Sequence, residues 1–87
     1  MQIVLNNGFE CEVTAENLND WDLLENLRKV DKGDVSPLPD VVLALIGKEQ
    51  TDALKNYLRT ENGRVPMDGM INAITEILNK CDVGKKS

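Results

Sequence analysis

Histidine is absent from the 87 residues of the chain. That excludes histidine triads, imidazole general bases and every zinc site built with an imidazole. Cysteine is scarce: Cys11 and Cys81 stand far apart, with no CxxC spacing. A thiolate metal site would lack ligands, so neither metal nor cofactor is expected. Aromatic residues are limited to Phe9, Trp21 and Tyr57, too few for the stacking platforms of single-strand binding modules. The longest apolar stretch, Val41 to Ile46, is far short of a membrane span. No GxxxxGK[ST] or GxGxxG loop occurs, and no Asn-x-Ser/Thr sequon. Met1 opens directly onto Gln2-Ile3-Val4-Leu5, without the basic start and apolar run of a signal peptide. A cytoplasmic protein with two reduced cysteines is the expectation.

What is present is a small globular balance. At 9.7 kDa, with 41% apolar and 29% charged residues, the chain suits one domain with one small core. Residues 1–81 are expected to form it, with 82–87 a polar tail. The net charge of −5 is unevenly placed. Residues 1–40 hold nine acids and three bases, net −6, and residues 41–87 hold six acids and seven bases, net +1. An acidic face repels phosphate backbones and attracts basic partners; it also serves simply as a solvated surface.

The first thirteen residues read as a β-hairpin. Met1, Ile3 and Leu5 alternate with polar or small neighbours, as Phe9, Cys11 and Val13 do with Glu10 and Glu12. A two-residue Asn7-Gly8 turn would pair Leu5 with Glu10 and split the apolar sets between faces. A three-residue loop, Asn6-Asn7-Gly8, pairs Leu5 with Phe9 and Ile3 with Cys11 on one face. The second register is expected, with Gly8 left-handed. Residues 14–17 suit a turn or the start of a short helix.

Asn19 or Asp20 caps the next helix, Asp22 favours its first turn, and Gly33 ends it. Its apolar residues are Trp21, Leu23, Leu24, Leu27 and Val30. Val35 to Pro39 is an extended connector, because a residue before proline avoids the helical region. A short helix over about 39–46 is apolar all round and stops at Gly47. Such a segment is a core helix, with or without one face kept for a partner. A third helix, 48–60, places Ala53, Leu54, Tyr57 and Leu58 on one side. Pro66 opens a fourth, whose stripe Met67, Met70, Ile71, Ile74, Ile77, Leu78 and Cys81 reads as core rather than as a docking groove. The fold class is α+β and mainly α: an amino-terminal two-stranded hairpin packed on three to four short helices.

Little here carries covalent chemistry, and no enzyme is expected. Asp31-Lys32-Gly33-Asp34 puts lysine and glycine where a calcium loop needs oxygen ligands. Asp20 and Asp22 suit helix capping better than acid–base work. Neither Ser36 nor Ser87 has the Asp-Ser-Leu setting of an acyl carrier. A helix-turn-helix centred on Gly47 is the stronger alternative, with Gln50, Thr51, Asp52 and Lys55 turned to bases and Lys48, Arg59 and Arg64 nearby. A plain αα-hairpin has the same outline. The acidic total and the missing basic stripe count against nucleic acid.

Three segments, in order, resemble a known family. Asn19-Asp20-Trp21-Asp22-Leu23-Leu24-Glu25 is similar to the "DDWEL" stretch of tail assembly chaperones from long-tailed phages and prophages of Gram-positive bacteria. Leu45-Ile46-Gly47-Lys48-Glu49-Gln50 resembles their "LLG-x-EQ" junction. Asn62-Gly63-Arg64-Val65-Pro66 resembles their "DGRVP" turn, with Asn62 in place of aspartate. The resemblance implies a non-enzymatic protein that coats the tape measure protein, brings tail-tube subunits to it and is absent from the finished virion. Many members are made in two lengths by a minus-one ribosomal frameshift. Gly84-Lys85-Lys86 would suit it through A-rich lysine codons, and equally suits an ordinary basic tail.

Such a chaperone needs modest apolar surface and solubilising charge. From the residues, the expected partner contacts are Val42 and Leu45 on the all-apolar helix, with Trp21 and Tyr57 as interfacial rings. Self-association into an oligomer is also compatible with a small acidic domain carrying an apolar helix. The alternatives are a small helix-turn-helix regulator and an acidic adaptor or inhibitor of a basic protein.

Overall fold

The computed structural model describes residues 1–81, so the expected tail 82–87 and its Gly84-Lys85-Lys86 lie outside the described residues. The elements are β1 (Gln2–Val4), β2 (Glu10–Glu12), α1 (Ala15–Leu18), α2 (Trp21–Asp31), α3 (Leu38–Leu58) and α4 (Met67–Cys81). The fold is α+β and mainly α, as the sequence predicts. Among the described residues, no helix is long and apolar enough to cross a membrane.

The hairpin adopts the register that unites its apolar sets. Ile3 pairs with Cys11 and Val4 with Glu10. At the loop, the Leu5 N–H donates to the Phe9 carbonyl at 2.8 Å and the Gly8 N–H to the Leu5 carbonyl at 2.9 Å. Gly8 has φ +95°, the left-handed position this bulged loop requires. Ile3, Leu5, Phe9, Cys11 and Val13 are all buried. Met1 is exposed instead: it forms the last rung of the ladder with Val13, beyond the cover of the helices.

Thr14 caps α1, its hydroxyl accepting from the Asn17 N–H. Asp20 caps α2, its carboxylate accepting from the Asp22 N–H at 3.0 Å. The far end of α2 closes as a Schellman motif, with Gly33 N–H on the Val30 carbonyl and Asp34 N–H on the Lys29 carbonyl. Leu23 and Leu27 are its buried residues; Trp21 and Leu24, expected to widen that face, point outward.

Gly47, with φ +81° and ψ 166°, divides α3 into arms 38–46 and 48–58. That backbone region is essentially closed to any residue with a Cβ, so glycine makes the break. Side chains cover carbonyls at the end of the first arm. Asn17 Nδ2 donates to the Leu45 carbonyl at 3.0 Å, Gln50 Nε2 to that of Ile46 at 2.8 Å, and the Thr51 hydroxyl to that of Val42 at 3.4 Å. α3 is the centre of the molecule, packing on α1, α2, α4 and β2. Its first arm buries Leu38, Val41, Val42, Leu45 and Ile46 in one continuous core with the hairpin, Leu23, Leu27, Leu54, Ile74 and Ile77.

Three further expectations are corrected. The extended connector does not reach Pro39, because Ser36 and Pro37 form a turn and α3 begins at Leu38. Ala53 is exposed and Thr51 takes the buried position in the second arm. α4 buries Ala73, Ile74, Ile77 and Cys81, whereas Met67 is exposed and Met70 and Ile71 are half-buried. The α4 stripe is therefore core at its carboxyl end and surface at its start.

Candidate functional site

The clearest feature for binding is a groove of about 460 Å³ between α3 and the first half of α4. One wall is the second arm of α3, through Lys48, Thr51, Asp52 and Lys55; the other is α4, through Met67, Met70, Ile71 and Ile74. Both walls have the spacing i, i+3, i+4, i+7, which is one face of a helix over about 10.5 Å of axis. Leu38 and Val42 contribute to the base, and Val35, Pro39 and Leu43 close one end.

Local sequence explains the opening. The break at Gly47 turns the second arm away from the first, which opens space beside the first arm. The turn before α4 is tied by Thr60 N–H to the Arg64 carbonyl, Gly63 N–H to the Thr60 carbonyl and the Arg59 guanidinium to the Gly63 carbonyl, and it sets Val65 against the groove. The Asp34 carboxylate accepts the Ser36 N–H at 3.0 Å. This bond holds that carboxyl below its ordinary pKa and fixes the bend that presents Val35 at the groove end. Leu43 is 44% and Met67 73% exposed, and Val35 is exposed with them. These are large apolar side chains in water around one concavity, the arrangement that marks interaction sites.

The charge of the groove differs from that of the molecule. Lys48 Nζ lies 3.0 Å from Asp52 Oδ2, both exposed. Lys55, one groove length further along the same wall, forms no ion pair among the described residues. A second, open cleft between α2 and α3 has the opposite character, lined by Asp20, Asp22, Glu25 and Asp40 with Arg28 and Lys29. Among the described residues, no three histidine, cysteine or carboxylate side chains cluster in a way that would hold a metal ion.

The four expected partner residues fall into two classes. Val42 and Leu45 are 2% and 0% exposed: they are core, and Leu45 offers no surface to a partner. Pro39, Asp40 and Leu43 are the exposed residues of the first arm, and the rest of its apolarity is spent inside. Trp21 is 70% exposed at the start of α2. Tyr57 is 51% exposed, yet its hydroxyl donates to the Asn7 carbonyl at 2.6 Å and its ring meets that of Phe9 at 5.4 Å between centroids. Tyr57 thus fastens the hairpin tip. The groove residues Val35, Leu43 and Val65 were missed because single apolar residues in a connector, an all-apolar helix and a turn carry no periodic signal.

The residues considered for reading bases are also partly committed. The Gln50 side chain accepts the Glu12 N–H and donates to the Glu12 carbonyl, both at 2.8 Å, and Thr51 is buried. Only Asp52 and Lys55 of that set remain on the surface. Cys11 and Cys81 are free and buried. Burial raises both thiol pKa values, and each other's proximity adds to the rise at Cys11, so neither is poised as a nucleophile.

No family model, curated protein or solved structure matches the chain.

Proposed function

We propose that the chain is a tail assembly chaperone. It holds helical segments of the tape measure protein in the α3–α4 groove, keeps that protein soluble and helps recruit tail-tube subunits, without catalysing a reaction. It acts in the host cytoplasm and leaves before the tail is finished. The observation that carries this reading is the groove itself: a concave apolar surface with helical spacing on both walls, the form that receives an amphipathic helix. The three motif resemblances supply the identity of the client. Met67 and Met70 suit a surface that meets many client sequences, since methionine repacks easily.

Co-expression with a tape measure protein tests the proposal. The intact chain is expected to co-purify with it, and the double variant Leu43→Gln/Met67→Gln to lose it while retaining the native circular dichroism spectrum. Equal recovery with both would sink the groove as the client site. Salt-sensitive retardation of duplex DNA, with no client captured, would favour the regulator instead. Intact mass of the products of the gene with its downstream DNA, carrying a second, longer species, would add independent support.

A further inference from the structure

We propose that the occupant of the α3–α4 groove is an acidic amphipathic helix of a partner protein, with a carboxylate beside its apolar face that meets Lys55. This rests on the groove being the client site, and the test below separates the two statements.

Charge complementarity carries the inference. The protein is net −5, so an acidic ligand should be repelled by most of its surface. The groove carries one positive charge in excess. Its charged residues are Lys48, Asp52 and Lys55, and Asp52 is already engaged with Lys48. Lys55 stands without a carboxylate among the described residues. Lys55 lies on the α3 wall, across the groove from the apolar α4 wall. A helix lying along the groove would meet α4 with its apolar stripe and Lys55 with one flank.

The experiment uses the full chain and two fluorescein-labelled peptides of about 20 residues, long enough for helical bias. Both carry leucine at i, i+3, i+4 and i+7. One has glutamate on the flanks and the other lysine. At low salt the glutamate peptide is expected to bind about tenfold more tightly than the lysine peptide, and the gap to narrow as salt rises. Lys48→Glu/Lys55→Glu, two exposed positions, is expected to reverse the preference without altering the fold. Leu43→Gln/Met67→Gln is expected to weaken both peptides.

Equal binding of both peptides, lost in Leu43→Gln/Met67→Gln, would overturn the acidic occupant and leave the groove reading in place. Binding that neither double variant changes would overturn both. A concentration-dependent oligomer that Leu43→Gln/Met67→Gln dissolves, and that excludes the glutamate peptide, would also overturn the proposal, since a second copy would then fill the groove. Preference for the glutamate peptide without capture of a tape measure protein would sustain the groove chemistry and sink the function.

Discussion

The two arms of α3 are joined through one glycine and have opposite fates. The first arm is apolar but for Asp40, and five of its nine residues are buried. The second is amphipathic, buries Thr51 and Leu54, and supplies one wall of the α3–α4 groove. The apolar surface left to a partner is therefore not on the most apolar segment. It lies where the side of an amphipathic arm, the start of α4 and the outward Leu43 meet around a gap. An all-apolar helix in a domain this small is consumed by its own core, because few other residues are available to build one.

The largest effect that would test this contrast is in the first arm. Leu45→Ala is expected to cost about 2–5 kcal/mol in urea unfolding, as for other fully buried leucines. A cost near zero would return Leu45 to the surface. Next comes the joint. Gly47→Ala places a Cβ in a backbone region that disfavours it, although open space surrounds it. A loss of about 1–3 kcal/mol is expected from strain alone, read as a lowered melting temperature. Wild-type stability would mean that the two arms straighten into one helix at little cost.

In the second arm, Tyr57→Phe keeps the ring against Phe9 and removes the hydroxyl from the Asn7 carbonyl. A loss of about 0.5–1.5 kcal/mol is expected, with faster amide exchange in the hairpin loop. The groove rim should show the smallest effect. Leu43→Gln/Met67→Gln, at two exposed sites, is expected to change stability by about 0.5 kcal/mol or less while abolishing client binding. A large destabilisation would assign those residues to the core.

The thiols add a pH dependence on the core side of the comparison. Both have folded pKa values above the ordinary 9.0. Above that value the unfolded thiols ionise first, so the unfolded state binds fewer protons than the folded one and stability falls as pH rises. Cys11→Ala is expected to flatten that alkaline decline in a series of thermal melts.

Much of the fold was legible where local chemistry leaves one solution. Alternation fixed the hairpin register, since only one loop length puts Ile3, Leu5, Phe9 and Cys11 on a common face. Asp20 marked a helix start because its carboxylate can take a free N–H, and Gly33 and Gly47 marked helix ends because both sit at positive φ. Exposure was less legible. Trp21 and Leu24 are apolar residues on the outer side of α2, and Met67 continues the stripe of α4 past the point where packing ends. Along 41–46 every direction is apolar, so periodicity points nowhere, and Leu43 was not distinguishable from Val42 or Leu45. The groove was hidden for the same reason: its parts come from α3, α4 and two connectors, and only the tertiary fold brings them together.

The fasteners of the hairpin carry a consequence for the order in which the chain acquires structure. Gln50 holds Glu12, Tyr57 holds Asn7, and the Glu76 carboxylate accepts the Asn6 N–H at 2.8 Å. An isolated two-stranded hairpin is marginal in water. The strands leave the ribosome first, yet the groups that secure them are synthesised 38, 50 and 70 residues later. Folding of the amino terminus thus waits on long loop closures, and a nascent chain halted before residue 76 has an amino terminus still missing one of its ties.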